Sequence, residues 1–247
     1  LTLPTGASLL LQECRTDGTF VAKVALDPDT RSQQVRVQSD GSPAFDTTYT
    51  VSLPPAVRVG ATGDFATIDA ALAAATPPQL LVLSGGDHVM SGGRTISGSF
   101  AIEAEPGTSP RILLAADLPD DTDASSAWFH VANGGSLSLR GIDVDGSGRR
   151  VRAGLLRVDA GGVAVVRDSV LRGAVAADRG TAVWNEGTAR LVDSAIADVG
   201  RIGVLSSGAT ASTSLYRLAF EGTGVGSPRL NYFVVAEAGA QLFAREV

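Results

Sequence analysis

Few side chains in this chain can do chemistry, and their types narrow what that chemistry would be. Cys14 is the one cysteine, Lys23 the one lysine, and the other 19 basic residues are arginines. A single cysteine excludes a disulfide framework and a Cys-based zinc site. The two histidines, His88 and His130, are too few for a histidine metal cluster. Carboxylate, guanidinium and amide groups remain. Arg157 stands two residues before Asp159, with Asn185-Glu186 further on and His130 before them. Asp143 and Asp145 fall on one side of a strand about 7 Å apart, a separation that hydrolytic carboxylate pairs use. Four carboxylates gather between Asp117 and Asp123 and offer oxygen ligands to Ca2+, although their spacing lacks the EF-hand pattern and a solvated loop explains them as well. Trp128, read as outward-facing, offers a ring on which a sugar can stack, whereas Trp184 reads as core. Arg149, Arg150 and Arg152 form a small basic patch that suits an acidic glycan and equally offsets Asp143 and Asp145. Gly146-Ser147-Gly148 is a flexible loop and not a phosphate cradle, because no helix follows it.

The elements that must position these groups are legible in the composition. Hydrophobic residues make up 44% but aromatics only 5%, and there are 29 glycines in 247 residues. Such a chain suits many thin, repeated packing layers better than one large globule. Residues 1–56 read as a separate small β-rich module. Ser8–Cys14, Thr19–Leu26, Gln34–Gln38 and Thr48–Leu53 alternate in part between apolar and polar, as short half-buried antiparallel strands do. Pro54-Pro55 ends the module. Next, Phe65–Ala75 places Phe65, Ile68, Ala71, Leu72 and Ala75 at helical spacing, with Asp64 or Thr62 as cap and Pro77-Pro78 as stop.

From about residue 95 a pattern repeats. Five small-residue turns stand at 133–135, 159–162, 185–187, 206–208 and 237–239, each preceded by a short apolar run and followed by a longer one. Aligning the longer runs puts Gly141, Asp168, Asp193 and Arg217 at one site per repeat, with spacings of 27, 25 and 24 residues. Strands recurring at that period without helices define coils of a parallel β-helix. Val, Ile, Leu and Ala fit its thin interior and Gly turns its corners. An open end would expose strand edges and core, and the helix at 65–75 is placed to cap the first coil. Phe243–Val247 reads as the start of another coil, which implies further chain downstream or a partner that covers this end.

Arg58-Val59-Gly60, Gly63–Leu72, the proline break and Leu81-Val82-Leu83 resemble the opening segment of pectin-lyase-like right-handed parallel β-helix proteins. Ser99–Glu105 with Gly107 and Pro110–Leu113 resembles their next strands. Gly180–Ser194 resembles their generic coils, and those of bacterial surface adhesins. The resemblance covers residues 57–247 and implies an all-β, right-handed parallel β-helix preceded by the small antiparallel module. It also implies that polysaccharide is handled by outward side chains on adjacent coils. Three activities follow from it. A β-eliminating lyase needs a base, usually Lys or Arg, often with Ca2+ to neutralise the uronate. With no lysine in the coils, Arg157 and Asp159 are the catalytic candidates, and His130, Asn185, Glu186 and Trp128 the substrate-binding ones. Turn chemistry accounts for Asp159 and Asn185 equally. A hydrolase would use Asp143 with Asp145, or Asp168 with Asp193, yet the motifs around paired aspartates are missing. A pectin-type esterase would need glutamines that the coils almost lack.

A net charge of −6 argues against nucleic acid as a partner. No apolar run is long enough to span a membrane. The expected setting is extracellular or at a bacterial cell surface, with an acidic polysaccharide as partner. The competing expectation is a non-catalytic stalk or adhesive spacer.

Overall fold

The computed structural model describes residues 8–14, 20–25, 32–39, 45–52, 55–74, 79–174, 180–221 and 232–247. The chain divides into two compact units, Leu1–Pro55 and Ala56–Val247. In the first, Ser8–Cys14 pairs antiparallel with Phe20–Ala25, and Ser32–Ser39 with Phe45–Ser52. Each pair is a separate two-stranded sheet. The expected strands are these, while Thr19, Leu26 and Leu53 lie outside the described residues.

The second unit is a parallel β-solenoid. A typical coil lays down three short strands, as in Phe129–Val131, Ser136–Arg140 and Asp143–Asp145. The next coil repeats them with Leu156–Val158, Val163–Arg167 and Val170–Arg172. Successive coils pair in parallel, so Phe129 lies beside Leu156, Leu139 beside Val166 and Val144 beside Leu171. In later coils the second and third strands merge into Thr188–Ala197 and Ser212–Glu221. The first strands of the coils stack into a six-stranded face. The other two faces join through the merged strands into one twelve-stranded sheet.

Inward positions stack aliphatic on aliphatic. Ile102, Leu139, Val166, Leu191 and Leu215 form one such column, each at most 2% exposed. Burying each contributes about 1.5–3 kcal/mol, so the column drives coil to stack on coil. Corners obey the backbone instead. Gly141, Asp168, Asp193 and Arg217 occupy one corner with φ of 69°, 50°, 50° and 47°. The aligned site of the sequence repeat is therefore a left-handed backbone position, which Gly and Asp adopt most readily. Gly135 answers a different demand: a Cβ there would lie 2.2 Å from the Ile96 carbonyl oxygen of the coil before.

The helix is shorter than its spacing predicts, running Ile68–Leu72. Phe65 is held in the strand ladder, its N–H donating to Arg58 O and its carbonyl accepting from Gly60 N. The Asp64 carboxylate accepts from Arg58 N and does not cap the helix. Thr67 takes that role, accepting from Ala70 N at 3.1 Å. Ile68 and Ala71 are fully buried in the solenoid core. At the other end of the unit, Leu242 and Phe243 of the last coil are 37% and 61% exposed.

Candidate functional site

Strand alternation on the six-stranded face turns Phe129 and Val131 into the core, and His130 between them outward. Parallel pairing extends that outward position into a column: Thr95, His130, Arg157, Trp184, Leu205 and Val235. His130 and Arg157 thus lie side by side on neighbouring coils, as the sequence alignment expects.

Their partners come from the turn that follows each strand. His130 Nε2 is 2.7 Å from Asp159 Oδ2, and its Nδ1 is 3.3 Å from Thr95 Oγ1. Arg157 donates from one terminal nitrogen to Glu186 Oε1 at 2.9 Å, and its guanidinium lies 3.8 Å over the Trp184 ring. Its side chain is 8% exposed. Nε and the other terminal nitrogen are buried without any hydrogen-bond partner. Burial pushes the Arg157 pKa below its ordinary value and outweighs the upward pull of Glu186 and Asp159. Desolvating one ion in a protein costs several kcal/mol. A cation–π contact returns roughly 2 kcal/mol when dry, and the Glu186 bond offsets more of that cost.

Two predicted binding residues are not at this surface. Asn185 is fully buried. The observed register sets Val158 beside Asn185 and Arg157 beside Trp184, not Val158 beside Trp184. A one-residue slip exchanges inward and outward residues, so Trp184 takes the outer place and Asn185 the inner one. Asn185 donates to Ser212 O and Thr213 Oγ1 and accepts from Gly187 N, which is a ladder inside the core. Trp128 is also fully buried, stacked on Phe129 with ring centroids 5.5 Å apart. Its backbone is tied to the next coil through Gly154 O, leaving no ring face for a sugar.

The acidic loop and the basic loop answer each other. Asp117 accepts from Arg150 N, Asp120 lies 3.8 Å from Arg152, and Asp121 accepts from Asp123 N. Among the described residues no three His, Cys, Asp or Glu side chains converge as a metal site would need. Arg150 and Arg152 also do not offset Asp143 and Asp145, as their nearness in sequence suggests. Asp143 takes two bonds from Arg172, and Asp145 lies between Arg172 and Arg111 at 3.5 and 3.7 Å. Asp87 closes this ladder with two bonds from Arg111. Asp143 and Asp145 do share one side of their strand, but arginines from adjacent coils occupy them both. Burial still raises the Asp143 pKa beyond what Arg172 lowers it. Asp168 and Asp193 sit at the left-handed corner, where Asp193 is bonded twice by Arg217.

Sequence reasoning missed Thr95, Trp184 and Arg201 as outer-surface residues. The ladder partners left a signal: Asp87 and Arg111 lie 24 residues apart, Asp143 and Arg172 lie 29, and Asp193 and Arg217 lie 24, each about one coil.

The molecule is thus a parallel β-solenoid with a mixed-charge, aromatic outer column on one face. No family model matches the chain, and no curated protein matches it. Among solved structures it is similar to a mutant form of the PL6-family alginate lyase AlyGC, at 15% identity and a TM-score of 0.41. That alignment covers 67% of this chain, which spans 28% of the other. Among the described residues no helix is long and apolar enough to cross a membrane.

Proposed function

We propose that the solenoid engages an acidic polysaccharide along the outer column of its six-stranded face. One observation carries the reading: Arg157 is buried beside Trp184 with two N–H groups unused. Natural proteins satisfy buried donors, and a uronate carboxylate supplies the missing acceptors. Strands about 4.8 Å apart repeat on a scale suited to a sugar polymer. The likeness of residues 57–247 to pectin-lyase-like β-helices supports the same reading, and such a polymer is met outside the cell or on its surface. In this assignment Arg157 holds the carboxylate and Trp184 backs it. Glu186 fixes the guanidinium, and His130 with Asp159 lines the adjoining coil.

A second reading adds β-elimination of the bound uronate. It is favoured by the two unused Arg157 donors, which would stabilise the charge that builds on the uronate carboxylate as C5 loses its proton. In that step the proton leaves C5 of the uronate for the base. The C4–O bond breaks with its electron pair to the leaving sugar oxygen, which takes up a proton from water, and a C4–C5 double bond remains. Both readings are tested by one panel of uronate polysaccharides, run with wild type and Arg157→Met. Retention by affinity electrophoresis reads binding, and absorbance of the unsaturated product reads elimination. Retention that Arg157→Met abolishes is the expected result. Product formed by wild type alone adds the lyase; retention without product limits the function to binding. No retention of any polymer rejects the proposal and leaves the role of a surface spacer.

A further inference from the structure

A cleft of about 290 Å3 opens beside Trp184. Its lining includes Arg152, Arg201, Thr122, Thr181, Trp184 and Leu205, and no carboxylate among the described residues. Elsewhere on the solenoid Arg58, Arg111, Arg150, Arg172 and Arg217 each face an acid. Arg201 has no side-chain hydrogen bond or ion pair among the described residues, and its side chain is exposed. Arg152 donates one N–H to the Asp120 carbonyl at 3.2 Å, and the Asp120 carboxylate stands off at 3.8 Å. Arg152 and Arg201 therefore line one small opening, with the Asp120 carboxylate beside Arg152 and none beside Arg201 among the described residues. Like charges so placed repel, and an anion bound between them relieves the repulsion.

The rest of the lining says what kind of anion. Thr122 and Thr181 bring hydroxyls, which donate and accept. Leu205 brings an apolar patch, and Trp184 an aromatic wall. Trp184 Nε1 is buried with no acceptor. Inorganic phosphate or sulfate uses the arginines but neither the indole nor the apolar patch. A sugar acid uses more of them: its carboxylate meets arginine, its hydroxyls meet threonine, and its apolar ring surface packs on Leu205 and the indole wall. The volume lies near the lower end of ligand pockets, roughly 300–1,000 Å3, which suits one or two sugar rings.

We infer that this cleft is a subsite for a single uronate residue, with Arg201 and Arg152 as its carboxylate ligands. It deepens the polysaccharide reading, on which it rests for the class of ligand. Trp184 is shared, so the cleft would hold the sugar next to the one on Arg157. The test titrates the protein with monomeric galacturonate, glucose and inorganic sulfate, following tryptophan fluorescence. Wild type is expected to show saturable quenching with galacturonate and none with glucose. R152Q/R201Q is expected to weaken it at least tenfold. R201Q alone changes only an exposed side chain and is expected to weaken it several-fold, which guards against misfolding of the double variant. Sulfate matching galacturonate in the same range would reduce the cleft to a general anion site and overturn the inference. Unchanged galacturonate affinity in both variants would overturn it as well. Polymer binding lost in Arg157→Met but intact in R152Q/R201Q would sink this inference and leave the proposed function standing. Galacturonate bound by wild type with no polymer retained would do the reverse.

Discussion

Two outer surfaces of the solenoid carry charge, and they are built in opposite ways. On the twelve-stranded sheet, Asp87, Arg111, Asp145, Arg172 and Asp143 alternate in sign, and every member faces an opposite charge. On the six-stranded face, His130, Arg157 and Trp184 stack under cover, and Arg157 keeps two N–H groups unpaired. The first surface is complete in itself. It links coil to coil, and its exposed members gain little from pairing in water. The second is incomplete and desolvated, a state that stability alone does not select. Matched charge is explained by the fold; a buried cation with unpaired donors is not.

Exchanging the central cation of each surface for methionine tests that contrast. Arg157→Met removes a desolvated cation and two unpaired donors and keeps most of the volume. Glu186 and Asp159, each about one-third exposed, return to water. Thermal stability is expected to hold or rise, because the carboxylates left behind are exposed enough to be hydrated and not stranded in the core. Affinity for the uronate polymer is expected to fall by at least about thirtyfold, the scale of an interface hot spot. A fall in both by similar free energies would erase the contrast, because Arg157 would then be a structural residue.

Arg172→Met is the counterpart. It leaves Asp143 and Asp145 as like charges two residues apart on one strand, both partly buried. Denaturant unfolding is expected to show a loss of about 1–2 kcal/mol at neutral pH, with polymer affinity unchanged. Weaker polymer binding in this variant would mean that the ladder also meets the ligand.

The ladder should also show in the pH dependence of stability. Burial raises the Asp143 pKa in the folded state above the unfolded value of about 3.9. The folded protein therefore holds this proton more tightly than the unfolded chain does. The stability it contributes is full below the unfolded pKa and is lost as pH rises through the higher, folded one. Asp143→Asn removes that titration. The difference in stability between wild type and variant should move against wild type as pH rises from about 4. A difference that stays flat, or moves the other way, would show Arg172 dominating over burial.

These contrasts explain what the sequence could and could not disclose. The coils were legible because a backbone demand recurs once per turn: Gly141, Asp168, Asp193 and Arg217 align by spacing and share one corner. The pairing of His130 with Arg157 followed from the same alignment. The helix was legible in place but not in length, because the strand bonds at Phe65 are not visible in apolar spacing. Asn185 and Trp184 were exchanged because both neighbour a turn, and a slip of one residue leaves the apolar pattern nearly unchanged while reversing which side chain meets solvent. Trp128 was misread because only the tertiary course of the preceding loop buries it. The cleft could not be found at all, since Arg152 and Arg201 come to line one opening only where separate coils stack.

The corner column gives the smallest effect and isolates the backbone from charge. Asp168 adopts φ of 50° and is exposed, like Asp193, but Asp193 is gripped by Arg217. Asp168→Gly removes the Cβ that disfavours a left-handed backbone, a penalty of roughly 1–2 kcal/mol for most residues and less for Asp. Glycine also gains freedom in the unfolded chain, which takes back about 0.4–1 kcal/mol. The net gain should be a few tenths of a kcal/mol, read as a small rise in denaturation midpoint. The same change at Asp193 relieves the same corner but strips Arg217 of its carboxylate, so it should gain less than Asp168→Gly or turn to a loss. If both variants respond alike, the Asp193–Arg217 pair adds nothing to the corner. The ladder of matched charges on the twelve-stranded sheet would then have to be doubted as a coil-to-coil link too.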